Sequence, residues 1–371
     1  MNCHKKKLLL FIFTVFLISA LLPALLLTGC GTKSKSAKKQ IDPEEVLNEV
    51  DYITKDRIAF ASYSTGKSQI YIMNNDGTNI INISKNDVNE FGFSWSPDGK
   101  KLAFTSDNFG RGQVFIINSD GTGRENLTGD DSWYGYPDWS PDGNKLAYVS
   151  GQPEMQNGQA NIKGQVYIMN IDGSNKIDLS GGIYNDWNPA WSPDGKKIVF
   201  VSYKDSVPQI YTMNPDGKDR TSLSNNDLEE LYPTWSPDGS RIAFVSYVNA
   251  IPQIYTMNPD GTGRTSLSNN ELEELYPTWS PDGSKLAFVS YKDSISQVFV
   301  MNPDGSGRKN LSDNNNDELY PTWSPDGSKL AFVSYVNKIA KIFIMNSDGS
   351  ERTVIELKNI SGINPIWSPL S

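Results

Sequence analysis

Sixteen residues, YPTWSPDGSKLAFVSY, stand at 276–291 and again, unchanged, at 320–335, with a near copy carrying Arg241 and Ile242 at 232–247. Trp95, Trp139, Trp191, Trp235, Trp279, Trp323 and Trp367 each precede Ser-Pro, at spacings of 44, 52, 44, 44, 44 and 44 residues. A repeat in the low forties has the length of one four-stranded propeller blade. Few other folds can accept such a chain.

Each unit reads physically. A short strand ends at Tyr320-Pro321-Thr322-Trp323, and Ser324-Pro325-Asp326-Gly327 turns the chain. In such a turn proline presets φ, aspartate bonds nearby backbone and glycine takes the left-handed position. Lys329 to Ser334 forms a second strand; a third is exemplified by Gln209 to Asn214, and a short fourth lies near Thr221 to Ser224. The middle strands are apolar without strict alternation, as in sheets covered on both faces. Second strands carry Phe60, Phe104, Tyr148, Phe200, Phe244, Phe288 and Phe332, and third strands carry Tyr71, Phe115, Tyr167, Tyr211, Tyr255, Phe299 and Phe343. Seven units are therefore expected. The first lacks a Trp-Ser-Pro strand and the last segment, Asn364 to Trp367, has no second strand after it, so this segment should complete the first blade and hide the sheet edges. The expected class is all-β: a seven-bladed propeller of four-stranded antiparallel blades.

The stretch WSPDGKKLAFTS followed by QVFIINSDGTG resembles the TolB-type propeller repeat, a relative of WD repeats without their Gly-His and Trp-Asp pairs. The resemblance covers about residues 52–371 and implies the architecture. TolB itself has an N-terminal α/β domain, six blades and no lipid anchor, so the resemblance does not carry over a Tol-Pal role.

The N-terminus reads differently. Lys5, Lys6 and Lys7 precede an apolar run from Leu8 to Leu27, the pattern of a secretory signal over residues 1–29. Leu27-Thr28-Gly29-Cys30 resembles the bacterial lipobox, which implies a lipid, such as palmitate, on Cys30 and a membrane-anchored, extracytoplasmic protein; the alternative is an uncleaved membrane span, since about 20 apolar residues are enough to cross a bilayer. Cleavage before Cys30 removes Cys3 and His4 and leaves 31 basic against 43 acidic residues, net −12, with one cysteine and no histidine. A disulfide framework is then impossible, and the acidity argues against nucleic acid. Residues 30–51 read as a lysine-bearing tether and a short helix capped by Asp42-Pro43-Glu44-Glu45.

Strand order sets the faces. Ser-Pro-Asp-Gly and Asn-x-Asp-Gly turns crowd one end, nearly identical in every unit; the other end carries the variable loops, where binding is expected. Five residues before the motif tryptophan stand Glu90, Asp186, Glu230, Glu274 and Glu318, with Tyr134 and Gly362 in the remaining units. Equivalence of the units predicts a broken ring of carboxylates near the channel mouth, fit for a basic peptide or a divalent ion, or simply solvated acids. The third unit has eight extra residues around Gly151 to Gly164, flanked by Trp133, Tyr134, Tyr184 and Trp187. Trp187 occupies a slot held elsewhere by Leu231, Leu275, Leu319 and Ile363 and should pack. Trp133 should be exposed unless it folds down over the space left by Gly135. The candidate ligand-binding set is Trp133, Tyr134, Tyr136, Tyr184 and Trp187 with Glu230, Glu274 and Glu318. Ser312 to Glu318 is oxygen-rich but lacks the glycine and distal glutamate of a calcium loop.

Without histidine, the familiar nucleophile triads and histidine-bound metals are missing, and resemblance to pectin-degrading propellers with a histidine-rich metal site stops at the repeat. Residues 209–247 and 253–291 differ at five of 39 positions, so successive units offer the same groups, which suits a scaffold better than a catalytic centre. No cofactor or metal is expected. The expectation is a monomeric, non-catalytic, membrane-tethered propeller that binds an envelope protein, peptide or glycan; the alternative is a glycoside hydrolase or lyase using acids at the channel mouth.

Overall fold

The computed structural model describes residues 56–369 except Phe109, Asp131, Gln152, residues 157–158, Ile183, residues 204–205, Asn269, residues 358–359 and the side chains of residues 152–161. The signal, Cys30, the tether and the short helix expected before residue 52 lie outside the described residues. Within them there are seven four-stranded antiparallel sheets and one extra two-stranded hairpin, with no α-helix.

Blade 1 is Arg57–Ser62, Gln69–Asn74 and Ile81–Asn82, completed by Ile363–Trp367 from the other end of the chain. Ile58 pairs with Trp367 and Ala59 with Ile366, which closes the ring as the repeat predicts. Blades 2 to 7 begin at Asn89, Trp133, Asp186, Glu230, Glu273 and Glu318, each strand pairing with the next in sequence except in blade 3, where Lys145–Gly151 pairs with Gln165–Asn170 across the inserted hairpin. First strands touch the first strands of neighbouring blades and so line the channel; the two-residue fourth strands lie outside.

The core is the stack of interfaces between blades. Second strands are buried along their length because both faces meet a neighbour, as in Leu330 to Ser334. At each interface one blade's aliphatics meet the next blade's aromatic: Val199, Val201, Ile210 and Leu223 of blade 4 pack on Leu231, Ile242, Phe244 and Met257 of blade 5. Phe60, Phe104, Tyr148, Phe200, Phe244, Phe288 and Phe332 are all at most 1% exposed. Burial of each stabilises by roughly 1.5–3 kcal/mol. Motif tryptophans stitch blades together: the Trp139, Trp235, Trp279 and Trp323 indoles donate to the carbonyls of Ser94, Ala190, Thr234 and Thr278 in the preceding blade.

The uniform end is built from one repeated turn. Ser236 Oγ donates to Asp238 Oδ1 at 2.6 Å and accepts from Arg241 N at 2.9 Å, while Gly239 closes the turn at φ 69°. The serine hydroxyl, with help from Ser240, draws the Asp238 carboxyl down to about 2. At the other end the extra residues of blade 3 form a hairpin, Pro153–Gln156 with Gln159–Ile162.

Candidate functional site

The innermost strands are not regular. In blades 1 to 7 the register slips in front of the motif tryptophan, between Leu231 and Thr234 for example, and the residue at the bulge takes a left-handed backbone. These residues are Asn364, Gly92, Tyr136, Asn188, Tyr232, Tyr276 and Tyr320, with φ between 49° and 58°. Glycine and asparagine enter this region readily, whereas a tyrosine there is strained by about 1–2 kcal/mol. A bulge re-aims its side chain, and it does so here at the channel. Tyr232, Tyr276 and Tyr320 stand side by side with ring centroids 5.6 Å apart. On the opposite arc Tyr136 meets Phe91 at 6.0 Å, Trp133 at 5.9 Å and Trp187 at 6.4 Å.

A second tier surrounds the first. Tyr203, Tyr247, Tyr291 and Tyr335 extend the second strands beyond their buried serines, with acids beside them: Glu273 pairs directly with Tyr291, and Tyr247 and Tyr335 donate their backbone N–H to the carbonyls of Glu229 and Asp317. Burial, followed by neighbouring phenols and these carboxylates, raises the Tyr247 and Tyr291 hydroxyls, and Tyr203 is pushed up to about 12. The phenols therefore stay protonated at neutral pH. Asp317 and Glu273 are exposed. The variable end of the channel is thus aromatic and acidic, offering flat faces, neutral hydroxyls and negative charge.

The ring of five carboxylates is placed elsewhere than expected. Glu90, Asp186, Glu230, Glu274 and Glu318 are all 0% exposed, buried between blades rather than presented at the mouth. Each pairs with an arginine 34 residues on: Arg124 at 2.6 Å, Arg220 at 2.7 Å, Arg264 at 2.9 Å, Arg308, and Arg352 at 2.5 Å. The guanidinium lies over two aromatic rings of its own blade, Arg264 being 4.0 Å from the Tyr255 centroid and 5.7 Å from that of Phe244. Hydroxyls and amides complete the site: Ser180 donates to Asp186, Asn226 to Glu230 and Asn314 to Glu318. A buried charge must be paired in this way, and the low exposure follows from the pairing. The sequence held the signal: the arginine recurs at a fixed interval from the acid, and both are missing together where Tyr134 meets Lys176 and where Gly362 meets Ile80.

Both additional tryptophans pack: Trp133 takes the folded-down alternative over Gly135, and Trp187 packs on its neighbours as expected. Trp133 is 6% exposed and lies folded over Gly135, where a Cβ would come within 2.7 Å of its Cη2, and against Gly112. Trp187 keeps partial exposure; it covers Gly164, donates to Asn185 Oδ1 at 2.7 Å and meets Trp133 at 5.8 Å. Tyr184 is partly buried, with the Arg220 guanidinium 4.7 Å from its ring. Tyr134 is buried and donates to Asp130 Oδ2 at 2.6 Å. In the oxygen-rich stretch, Asp317 accepts from Ser296 N and Ser312 Oγ from Val298 N, so these oxygens hold strand ends. Among the described residues no group of three or more His, Cys, Asp or Glu side chains is arranged to hold a metal ion.

A closed seven-bladed ring with one uniform and one variable end is a β-propeller. Residues 54–164 and 213–371 match the TolB beta propeller domain, and the chain belongs to that family. Among solved structures it is similar to TolB from Acinetobacter baumannii, at 21% identity and TM-score 0.52, covering 85% of this chain and 67% of that one. It is also similar to an oligogalacturonate lyase in complex with manganese, at 16% identity and TM-score 0.64, covering 78% and 85%. A third likeness is to puromycin hydrolase, at 15% identity and TM-score 0.67; it covers 82% of this chain but 52% of that one, so this chain spans about half its length. At these identities the likeness establishes the fold. No curated protein matches the sequence.

Proposed function

We propose that this protein is a membrane-anchored, non-catalytic propeller that binds a partner of the cell envelope across the variable end of its channel. A protein or peptide segment bearing lysine or arginine is the favoured partner, with a glycan as the second class. The observation that carries this reading is the trio Tyr232, Tyr276 and Tyr320, held at left-handed φ beside Glu229, Glu273 and Asp317. Every blade has this bulge, and glycine or asparagine meets it without strain in three of them; a tyrosine held there in the other four, three of them side by side, is strain that the fold does not require and a mark of function. Tyrosine faces and carboxylates together suit cationic side chains, and rigid phenols suit recognition at low entropic cost. The anchor rests on the Leu27-Thr28-Gly29-Cys30 sequence alone.

The burial and pairing of Glu230 and Glu274 support a binding role over glycoside cleavage, since an acid held by arginine between blades has no access to a sugar. The test replaces Tyr232, Tyr276 and Tyr320 together by asparagine, the residue that blades 1 and 4 carry at the same bulge. Affinity capture from solubilised envelopes should recover a partner with the wild type and lose it with the variant. Equal capture by both, or turnover of envelope glycans that disappears in Glu274→Gln, would refute this proposal.

A further inference from the structure

Six blades fill the space beside their stacked second- and third-strand rings. Blades 2, 4, 5, 6 and 7 fill it with the arginine and its carboxylate, and blade 1 with Ile80 and with Leu357 packed against Gly362. In blade 3 the same place is a cavity of about 300 Å³, lined by Tyr134, Tyr148, Ser150, Lys163, Gln165 and Lys176 among others. Tyr148 stands where every other blade has phenylalanine; it is 0% exposed and its hydroxyl has no hydrogen-bond partner. Burial raises this hydroxyl, so it keeps its proton and remains a donor on a residue that lines the cavity. A buried polar group left without a partner costs about 1–3 kcal/mol, which a ligand can recover.

The charges around the cavity define its complement. Lys176 replaces the arginine and donates to the Thr128 carbonyl at 3.1 Å; Lys163, which follows the inserted hairpin, donates to the Gly182 carbonyl at 3.2 Å. The motif carboxylate is replaced by Tyr134, whose hydroxyl turns to Asp130, a carboxylate that also accepts from Ser132 N at 2.8 Å. Gln165 is spent on the Gly164 and Tyr184 carbonyls and on Gly182 N. Blade 3 has therefore kept a cation, added a second and added a phenol donor, while losing the buried anion that five other blades place here.

We propose that this cavity binds a small carboxylate-bearing molecule. Its carboxylate accepts from Tyr148 Oη and from the ammonium groups of Lys176 and Lys163, and its body lies against the stacked rings of Tyr148 and Tyr167, 5.7 Å apart. The volume is at the lower end for ligand sites and equals roughly ten water volumes, enough for a molecule of about ten heavy atoms. Calorimetric titration of the full chain tests this with acetate, N-acetylglycine and benzoate, each beside its primary amide, and with methylguanidinium. At least one carboxylate should bind, with its amide about tenfold weaker or worse, since a hydrogen bond to a charged group is worth that factor. Tyr148→Phe restores the residue of the other six blades; it should melt no lower than wild type and lose about tenfold in affinity. Lys176→Gln should lose at least as much. No binding by any carboxylate, equal binding by acid and amide, or affinity unchanged in both variants overturns the proposal. Preference for methylguanidinium also overturns it and assigns the cavity to the cation that blade 3 lacks.

Discussion

Blades 5 to 7 and blade 3 occupy the same ring and solve the same packing problem in opposite ways. Blades 5 to 7 repeat one buried pair, Arg264 with Glu230, Arg308 with Glu274 and Arg352 with Glu318, in nearly one sequence. Blade 3 gives up both members, takes an insertion and leaves a cavity with an orphaned hydroxyl. Blade 1 shows that neither arrangement is compulsory, because Ile80, Ile355 and Leu357 fill the equivalent region with apolar atoms. The ring thus needs a filled interface, but it does not need a charged one. Where a blade is neither apolar nor ion-paired, the departure calls for a reason beyond folding, and a ligand supplies one.

The largest expected effect comes from unbalancing a regular blade. Arg308→Met leaves Glu274 buried without its cation and should destabilise by about 3–5 kcal/mol in urea unfolding. Adding Glu274→Leu to the same chain reproduces the apolar solution of blade 1 and should recover most of that loss, giving a coupling energy well above 1 kcal/mol. If the double variant is as unstable as the single, blade 1 is no guide to its neighbours and the comparison fails.

A smaller loss separates the two arcs of the channel mouth. Trp133 is seated on Gly135, so Gly135→Ala places a methyl 2.7 Å from its indole and should cost about 1–3 kcal/mol while moving tryptophan emission to the red. The backbone of Gly135 does not need positive φ, so the effect is steric. Unchanged stability and emission would show that Trp133 does not lie on this glycine.

The repeat made the blade count, the four-stranded unit and the closing Ile58–Trp367 pairing legible, because strand and turn chemistry are local and recur seven times. The burial of Glu230, Glu274 and Glu318 was less legible. A carboxylate reads as exposed until its partner is found, and the arginine lies 34 residues away, beyond any helix or hairpin spacing. The bulge was half legible: Gly92, Asn188 and Asn364 mark a left-handed position, but Tyr232, Tyr276 and Tyr320 conceal it, since tyrosine is not expected there. Trp133 turned on the size of Gly135, which was visible, and on the direction of a side chain, which was not.

The smallest effect concerns Asp138, which in blade 3 takes the slot of Ser94, Ala190, Thr234, Thr278 and Thr322. Its Oδ2 accepts from Trp191 N at 2.9 Å, while burial, outweighing that bond, pushes its carboxyl up to about 6. An acid whose folded value is above its unfolded value of about 3.9 binds more protons in the native state between those two pH values. Its contribution is therefore complete below pH 4 and lost as pH rises through about 6. Asp138→Asn keeps an acceptor oxygen and removes the charge. Because this side chain retains some solvent contact, the gain at pH 7 should be on the order of 1 kcal/mol, vanishing near pH 4. Turn aspartates such as Asp238 and Asp282, held at about 2, titrate alike in both proteins and cancel in the difference. Thermal unfolding of both chains between pH 4 and 7 reads the effect directly, and a difference that does not grow with pH would mean that Asp138 is ionised in the fold at no cost.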